Sequence, residues 1–342
     1  MSDFTLHDAV HTYLDALRNE GAPHGTIKQY RSVLYRLTAR YQGRQYGGIK
    51  TKDLAQFLYG PDGITTGKAA STGGAYRAAL RSFFAYGHLM GWGPVVVVPQ
   101  PVIRQRSGRP QERPTRLAPT ELHLMLQRCP DAAQGRVLRG MVAVAMNTAL
   151  RLSDIVKIEI GHIDLAKGEL AVWSQKTQRF NTWPITADLD RELRDYMTWY
   201  TATTGVTFAD AGRFLFPGWG TTRVVGGFAA TPEPSRHTSP TWANVHIHRL
   251  FEACGIAVES GEAWHTIRRS VARIYFDTLR EEVSYDHALR QVSVLLDHAN
   301  SATTERYLGT RAEKEAVDRS LKGKRLIPAP ASGVIDMTRR AA

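Results

Sequence analysis

Apolar residues recur at helical intervals in four stretches of the first 90 residues. The first stretch begins at Thr5, which forms a capping-box pattern with Asp8. The other three begin near Thr26, Thr51 and Ser71. These patterns predict a helical N-terminal domain over residues 1–92.

Prolines end this pattern after residue 92. Six of the 16 prolines lie between Gly93 and Pro119, with arginines interleaved among them. Proline lacks a backbone donor and restricts the preceding residue to extended conformations, so no long helix is expected here. The stretch 93–117 therefore predicts an extended, basic linker between two domains.

Helical and alternating patterns both occur in residues 118–325, which predicts a second domain. Alternation over 168–184 predicts a β-hairpin. The stretch 218–240, rich in Gly, Thr, Pro and Ser, predicts a long loop. Helices are predicted from Ala118 onward and near 137–150, 188–203, 241–254, 265–280, 287–297 and 301–307. The predicted fold class is mainly α with a small β-hairpin or sheet, that is, α+β.

The charge of the chain indicates an anionic partner. Its 342 residues carry a formal net charge of +12. Residues 1–110 hold 14 Lys and Arg against 6 Asp and Glu, a surplus of eight. Such a surplus makes nucleic acid the first candidate partner, although many basic proteins bind no anion and a basic helix face is more often a solvated surface than a DNA contact. The candidate DNA contacts are Lys28, Arg31, Lys68, Arg77 and Arg81 on predicted helices, and Arg104, Arg106 and Arg109 in the linker.

The remaining composition favours a cytoplasmic protein. Cys129 and Cys254 match no metal or redox spacing, and the N-terminus lacks the pattern of a secretory signal. The longest apolar stretches are far shorter than the roughly 18 residues that span a bilayer. We therefore predict a cytoplasmic location, with no membrane partner and no structural metal.

Four segments of the second domain carry candidate chemistry. Each is ordinary alone, because an arginine at a helix end is often a cap and a lone histidine is often structural. They contain Arg151 and Asp154, then Lys176 at the hairpin turn, then His265 and Arg268 at an i, i+3 spacing, and finally His298 and Tyr307.

Taken in order, these segments resemble the signature of the tyrosine recombinase (phage integrase) family: Arg, hairpin Lys, His-x-x-Arg, His or Trp, and Tyr. The nine-residue step from His298 to Tyr307 is the spacing that this family uses. Residues 25–31 are similar to the family's x-T-x-x-x-Y-R helix, and 79–86 to its L-R-S-F-F-x-Y helix. The resemblance covers residues 5–325.

The resemblance implies a helical core-binding domain and a tyrosine-recombinase catalytic domain that clamp duplex DNA. The DNA would be an attachment or core site, and four protomers would act on two such sites. No cofactor, metal or ATP is implied. An excisionase or a host DNA-bending factor would be a further partner. The nucleoid of a bacterial host would be the location.

The resemblance also implies a role for each candidate. Two guanidiniums, Arg151 and Arg268, would bind the non-bridging phosphate oxygens, and Asp154 would orient Arg151 or its neighbours. Tyr307 would be the nucleophile, and Lys176 would protonate the leaving 5′-oxygen. His265 and His298 would hydrogen-bond the phosphoryl group, and His265 would also be a candidate acceptor of the tyrosine proton.

Site-specific recombination for integration and excision is the function implied. The alternatives within the same chemistry are a Xer-type chromosome-dimer resolvase and a type IB topoisomerase relative. A catalytically silent DNA-binding regulator is the alternative from another class, against which the intact catalytic set argues. Because the bundle begins near Thr5, we expect no additional arm-binding domain and simpler attachment sites.

Two positions depart from the family pattern. Thirty residues separate Arg268 from His298, several more than the family usually has, and we expect the excess as an extended turn within 279–287. Asp297 stands where a glycine usually precedes the histidine. The tail 326–342 is interpreted either as a segment that docks on a neighbouring protomer or as a disordered end.

Overall fold

The structure is a computed structural model. It describes residues 4–102, 116–174, 178–224, 227–259, 261–298 and 300–310. The chain divides into two compact units, Met1–Glu112 and Arg113–Ala342. The division lies within 93–117, but the functions assigned to the domains stay predictions. The tail 326–342 lies outside the described residues.

The first unit is a bundle of helices. Thr5 caps the first helix as predicted: its hydroxyl accepts from the Asp8 amide at 3.1 Å, and its own amide donates to the Asp8 carboxylate at 3.2 Å. The second helix begins two residues earlier than Thr26. The helices are α1 (Leu6–Asn19), α2 (His24–Arg40), α3 (Thr51–Tyr59) and α4 (Ala70–Leu89).

Aromatic side chains fill the centre of this unit. The Phe83 ring centroid lies 5.6 Å from that of Tyr46 and 5.0 Å from that of Phe84, in edge-to-face arrangements that favour aromatic packing. A Cβ atom at Gly87 would lie 2.1 Å from the Tyr46 hydroxyl, so α4 can approach Tyr46 only with glycine there. Because the apolar face of each helix is buried in this core, the opposite, polar face is exposed to solvent.

The second unit is built around one buried helix, α6, which packs against α5, α8, α9 and α10. Val137, Met141, Val142 and Val144 on α6 are buried in the core. The helices of this unit are α5 (Pro119–Arg128), α6 (Ala133–Thr148), α7 (Leu152–Ile155), α8 (Ala187–Thr204), α9 (Pro240–Ala253), α10 (Ala263–Glu282), α11 (Tyr285–Leu295) and α12 (Ser301–Leu308).

A three-stranded antiparallel sheet lies beside these helices. Its strands are β1 (Ile163–Asp164), β2 (Glu169–Ser174) and β3 (Arg179–Pro184), in the order β1-β2-β3. Leu170 pairs with Trp183, and both are buried. Ser174 pairs with Arg179 at the turn end of the ladder, where β2 connects to β3. The β-hairpin predicted over 168–184 is therefore confirmed.

The long loop predicted over 218–240 is wrong. Most of this stretch forms a second antiparallel hairpin, of β4 (Pro217–Val224) and β5 (Gly227–His237). Its prolines, Pro232 and Pro234, suggested a loop because they cannot donate to a ladder. A ribbon of two strands has an outer edge on each strand, where a missing amide donor costs little.

The extended turn expected within 279–287 is also wrong. Helix α10 continues to Glu282, and α11 begins at Tyr285, so two residues join them. The extra length between Arg268 and His298 is helical. Leu279, in the last turn of α10, and Val283, which caps the helix, both pack against the core.

The fold class predicted from the sequence is confirmed: the described residues are mostly helical, with two small antiparallel sheets. None of the helices among them is long and apolar enough to cross a membrane.

Candidate active site

A left-handed residue at the end of α6 places Arg151 at the start of the next helix, α7. Helix α6 ends at Thr148, and Ala149 adopts a left-handed conformation with φ 51°. Arg151 then becomes the N-cap of α7, with its side chain 20% exposed. Arg268, on α10, is buried and donates from Nη1 to the carbonyl of Ala149.

One backbone carbonyl contacts both arginines. The Leu296 oxygen accepts from Nη2 of Arg268 at 2.6 Å and from Nη2 of Arg151 at 3.4 Å. Burial lowers the pKa of Arg268 to about 10, an effect that the nearby Tyr307 opposes. Both guanidiniums are thus held by the segment that immediately precedes His298, and Arg268 remains charged at neutral pH.

Two carboxylates lie near Arg151. The Oδ2 atoms of Asp154 and Asp297 are each 3.9 Å from its Nη1. Asp154 is buried, and Asp297 has φ 50°, a left-handed conformation that Asp tolerates better than most residues. Both carboxylates, with Arg151, Arg268 and Ser174, line one pocket.

His265 lies in the first turn of α10, one turn before Arg268. The residue has an exposed face, yet burial of its ring lowers the pKa of His265 below the usual value. The Glu262 carboxylate opposes this shift, and the charges of Arg268 and Arg269 add to it. The neutral imidazole, which can accept a proton, is therefore favoured at pH 7.

His298 is held by a chain of hydroxyl groups. Its Nδ1 lies 3.0 Å from Oγ1 of Thr304, which lies 2.8 Å from Oγ of Ser293. Thr304 and Ser293 are both buried. The imidazole packs edge-on against Tyr307, with ring centroids 5.5 Å apart. These hydrogen bonds connect Ser293 on α11 to Thr304 on α12 and to His298 between the two helices.

Tyr307 lies near the end of α12 among cations. Its hydroxyl donates to the carbonyl of His265 at 3.5 Å, and the guanidinium carbon of Arg269 is 5.8 Å from the ring centroid. Burial raises the pKa of Tyr307, and the charges of Arg268, Arg269 and Arg151 act against this rise. These cations would stabilise the phenolate and so offset part of the rise in pKa that burial causes.

The structure brings six of the predicted residues together in the second unit: Arg151, Asp154, His265, Arg268, His298 and Tyr307. Lys176 lies outside the described residues, as do Arg104, Arg106 and Arg109. In the first unit, Lys28, Arg31, Lys68 and Arg81 are exposed. Arg77 is partly buried and donates to the Tyr59 hydroxyl at 3.2 Å.

Sequence reasoning did not assign a role to Arg269, Thr304 or Asp297. Arg269 follows Arg268 directly, and its position on a helix that starts at Ala263 could have suggested a contact with the same site. Asp297 was visible as a departure from the usual glycine. Thr304 gave no signal, because its contact with His298 depends on the angle between α11 and α12.

The site can bind an anion with several oxygens. Arg151 and Arg268 present fork-shaped donors, and the imidazoles of His265 and His298 can donate or accept beside them. Within the described ranges, no group of three or more His, Cys, Asp or Glu side chains could hold a metal ion. A phosphate group has the charge and geometry that these side chains recognise.

The model of the phage integrase family matches residues 115–314, more than half of the chain. The chain belongs to this family, the tyrosine recombinases. A search of curated proteins finds no match. The matched region of this tyrosine recombinase contains the whole site described above, from Arg151 to Tyr307.

Solved structures share the fold of this tyrosine recombinase. A lambda integrase dimer bound to a COC′ core site is 19% identical, covers 89% of this chain and 95% of its own, and has a TM-score of 0.62. The XerH site-specific recombinase bound to palindromic difH substrate is 17% identical, covers 87% of this chain and 80% of its own, and has a TM-score of 0.62. A lambda integrase tetramer bound to a Holliday junction is 19% identical, covers 90% of this chain and 78% of its own, and has a TM-score of 0.61.

Proposed function

We propose that this protein is a site-specific recombinase that cuts and rejoins duplex DNA through a 3′-phosphotyrosine intermediate. The observation that carries the proposal is the convergence of two arginines on the Leu296 carbonyl, beside His298 and Tyr307. A scissile phosphodiester is an anion, and its attack by an oxygen nucleophile adds negative charge to the non-bridging oxygens. Arg151 and Arg268 would stabilise that charge.

Tyr307 would attack the phosphorus. A bond forms between its phenolic oxygen and phosphorus, and the bond to the 5′-oxygen breaks. The neutral form of His265 is a candidate acceptor for the phenolic proton. His298, held through Thr304, would hydrogen-bond a phosphoryl oxygen. Asp154 would orient Arg151.

The leaving 5′-oxygen requires a proton, which we assign to Lys176. In sequence this lysine falls between β2 and β3. The phosphotyrosine conserves the energy of the broken phosphodiester, so religation would need neither metal nor nucleotide. The reverse steps return the proton to Lys176 and release Tyr307.

Integration and excision of a phage or mobile element is the specific role that we propose. The fold shared with DNA-bound lambda integrase supports duplex DNA as substrate, and its tetramer on a Holliday junction supports four protomers on two sites. The net charge of +12 agrees with such a partner. An excisionase or a host bending factor would control the direction of the reaction.

A nicked duplex from the DNA that flanks the gene tests this proposal. With EDTA present and nucleotide absent, the wild type should form a covalent adduct, and Tyr307→Phe should form none. Tyr275→Phe is the control, because Tyr275 is an exposed tyrosine on α10. An adduct at normal yield in Tyr307→Phe would refute the nucleophile, and a wild-type reaction that requires Mg²⁺ would refute the metal-independent mechanism.

A further inference from the structure

Asp297 contacts three separate parts of the candidate active site. Its Oδ2 accepts from the Ser174 hydroxyl at 2.9 Å, and its Oδ1 accepts from Nη2 of Arg179 at 3.0 Å. Oδ2 also lies 3.9 Å from Nη1 of Arg151. The carboxylate is only 6% exposed, so these contacts replace most of its hydration.

The two hairpin contacts fall on one rung of the ladder. Ser174 is the last residue of β2, Arg179 is the first of β3, and they are paired with each other. Each strand therefore donates to a different oxygen of the same carboxylate. Asp297 therefore joins the turn end of the hairpin to the segment between α11 and α12.

The backbone at residue 297 adopts a left-handed conformation, which is strained for a residue with a side chain. A left-handed conformation is available to glycine without strain, and Asp adopts it less readily. A glycine would meet the conformational need here, but it would have no carboxylate. The position thus carries a side chain whose contacts extend to the hairpin and to Arg151.

We propose that Asp297 is a positioning residue that holds the β2–β3 hairpin against the arginines and His298, so that the hairpin delivers a proton to the leaving 5′-oxygen. This inference rests on the proposed function. Lys176 follows Ser174 by two positions and precedes Arg179 by three. Asp297 thus holds Ser174 and Arg179, the two strand ends that flank Lys176 in sequence.

A substrate with sulfur in place of the bridging 5′-oxygen tests the proposal. A thiolate leaves without a proton, because a thiol is far more acidic than an alcohol. Asp297→Gly should cleave the ordinary duplex roughly tenfold to a hundredfold more slowly than wild type. With the sulfur substrate, it should cleave as fast as wild type. Lys176→Ala should show the same rescue.

Two further variants separate positioning from general damage to the fold. Ser174→Ala removes one donor and should show a smaller defect that the sulfur substrate also rescues. Asp297→Gly in a Lys176→Ala background should cause no further loss, because both act on one step. Asp188→Asn, at an exposed pair with Arg191 on α8, is the control and should match wild type.

Three results would overturn the inference: an unchanged rate in Asp297→Gly, a defect that the sulfur substrate leaves in place, or an additive loss with Lys176→Ala. Failure of the proposed function gives a different result, since the wild type would then form no adduct with either substrate. A melting temperature measured for each variant identifies loss of the folded state, and in that case Ser174→Ala decides the test.

Discussion

Opposing influences act on the phenol of Tyr307. Burial raises its pKa, while the guanidiniums of Arg268, Arg269 and Arg151 work to lower it. Arg268 is fixed by two backbone carbonyls, and Arg269 is fixed by an ion pair with Glu262 at 2.7 Å. The proposed nucleophile therefore depends on cations that are oriented before DNA binds.

Removal of Arg269 should shift the pH dependence of cleavage. Attack requires loss of the phenolic proton, so the rate rises with pH below the pKa of Tyr307. Arg269→Gln removes a charge that lowers this pKa, so the rising limb should move to higher pH. Single-turnover cleavage at saturating DNA, measured across a pH series, checks this.

Arg191→Gln is the matched control, because that arginine is exposed on α8 and pairs with Asp188. Its pH profile should coincide with that of the wild type. A shift of Arg269→Gln to lower pH, or equal shifts in both variants, would contradict the role assigned to Arg269.

The residue types of the site could be predicted from sequence, but several of their contacts could not. Arg151, Arg268, His298 and Tyr307 were found through the order and spacing of the family signature. The Leu296 carbonyl between the arginines is a backbone group, which no residue pattern reveals. Contacts of this kind depend on how distant segments pack, and only the fold supplies that.

At the scale of elements, the connection between α11 and α12 is stabilised by polar groups. Thr304 on α12 contacts both His298 and Ser293, and Ser293 donates to the Leu289 carbonyl at 2.7 Å. These groups are buried apart from His298, which is partly buried. The same chain therefore contributes to the stability of the domain and to the orientation of the histidine.

Thr304→Val should weaken both. Valine has nearly the same shape but lacks the hydroxyl, so Ser293 and His298 each lose a partner. A buried polar group left unpaired costs about 1–3 kcal/mol. We expect a loss of unfolding free energy of that size in denaturant titrations, together with slower cleavage. Thr303→Val, at the exposed neighbouring position, should lose far less, and equal losses would contradict this account.

The elements themselves were predictable where one pattern dominated. Helices such as α3 and α8 follow helical spacing, and the β2–β3 hairpin follows alternation. The β4–β5 hairpin was missed because its strands contain Gly, Pro and Thr with no apolar alternation. Its order comes from the ladder between the two strands, which is a property of the pair and not of either segment.

At the scale of the molecule, two separate hydrophobic cores match the two units. The candidate chemistry lies in the second unit, whereas most of the surplus positive charge lies in residues 1–110. On α2, Lys28 and Arg31 are three residues apart and both exposed, so they share a helix face. This division suggests that the first unit contributes affinity for the DNA backbone more than chemistry.

Neutralising exposed cations of the first unit should reduce the salt dependence of DNA binding. Each phosphate contact releases counterions, so the slope of log K against log salt changes by about 0.9 per contact. Replacement of Lys28, Arg31, Lys68 and Arg81 by Gln should lower the slope by up to about 3–4. Arg77 is left in place because it donates to Tyr59. Binding isotherms over a salt series give the slopes.

A second variant with the same change in net charge separates contact from overall attraction. It replaces Arg128, Lys167, Arg191 and Arg213 by Gln, four exposed cations of the second unit. If the first unit contacts the phosphates, this variant should keep a slope close to that of the wild type. Equal reductions of the slope in both variants would mean that only net charge matters. An unchanged slope in the first variant would mean that these four cations face solvent and contact no phosphate.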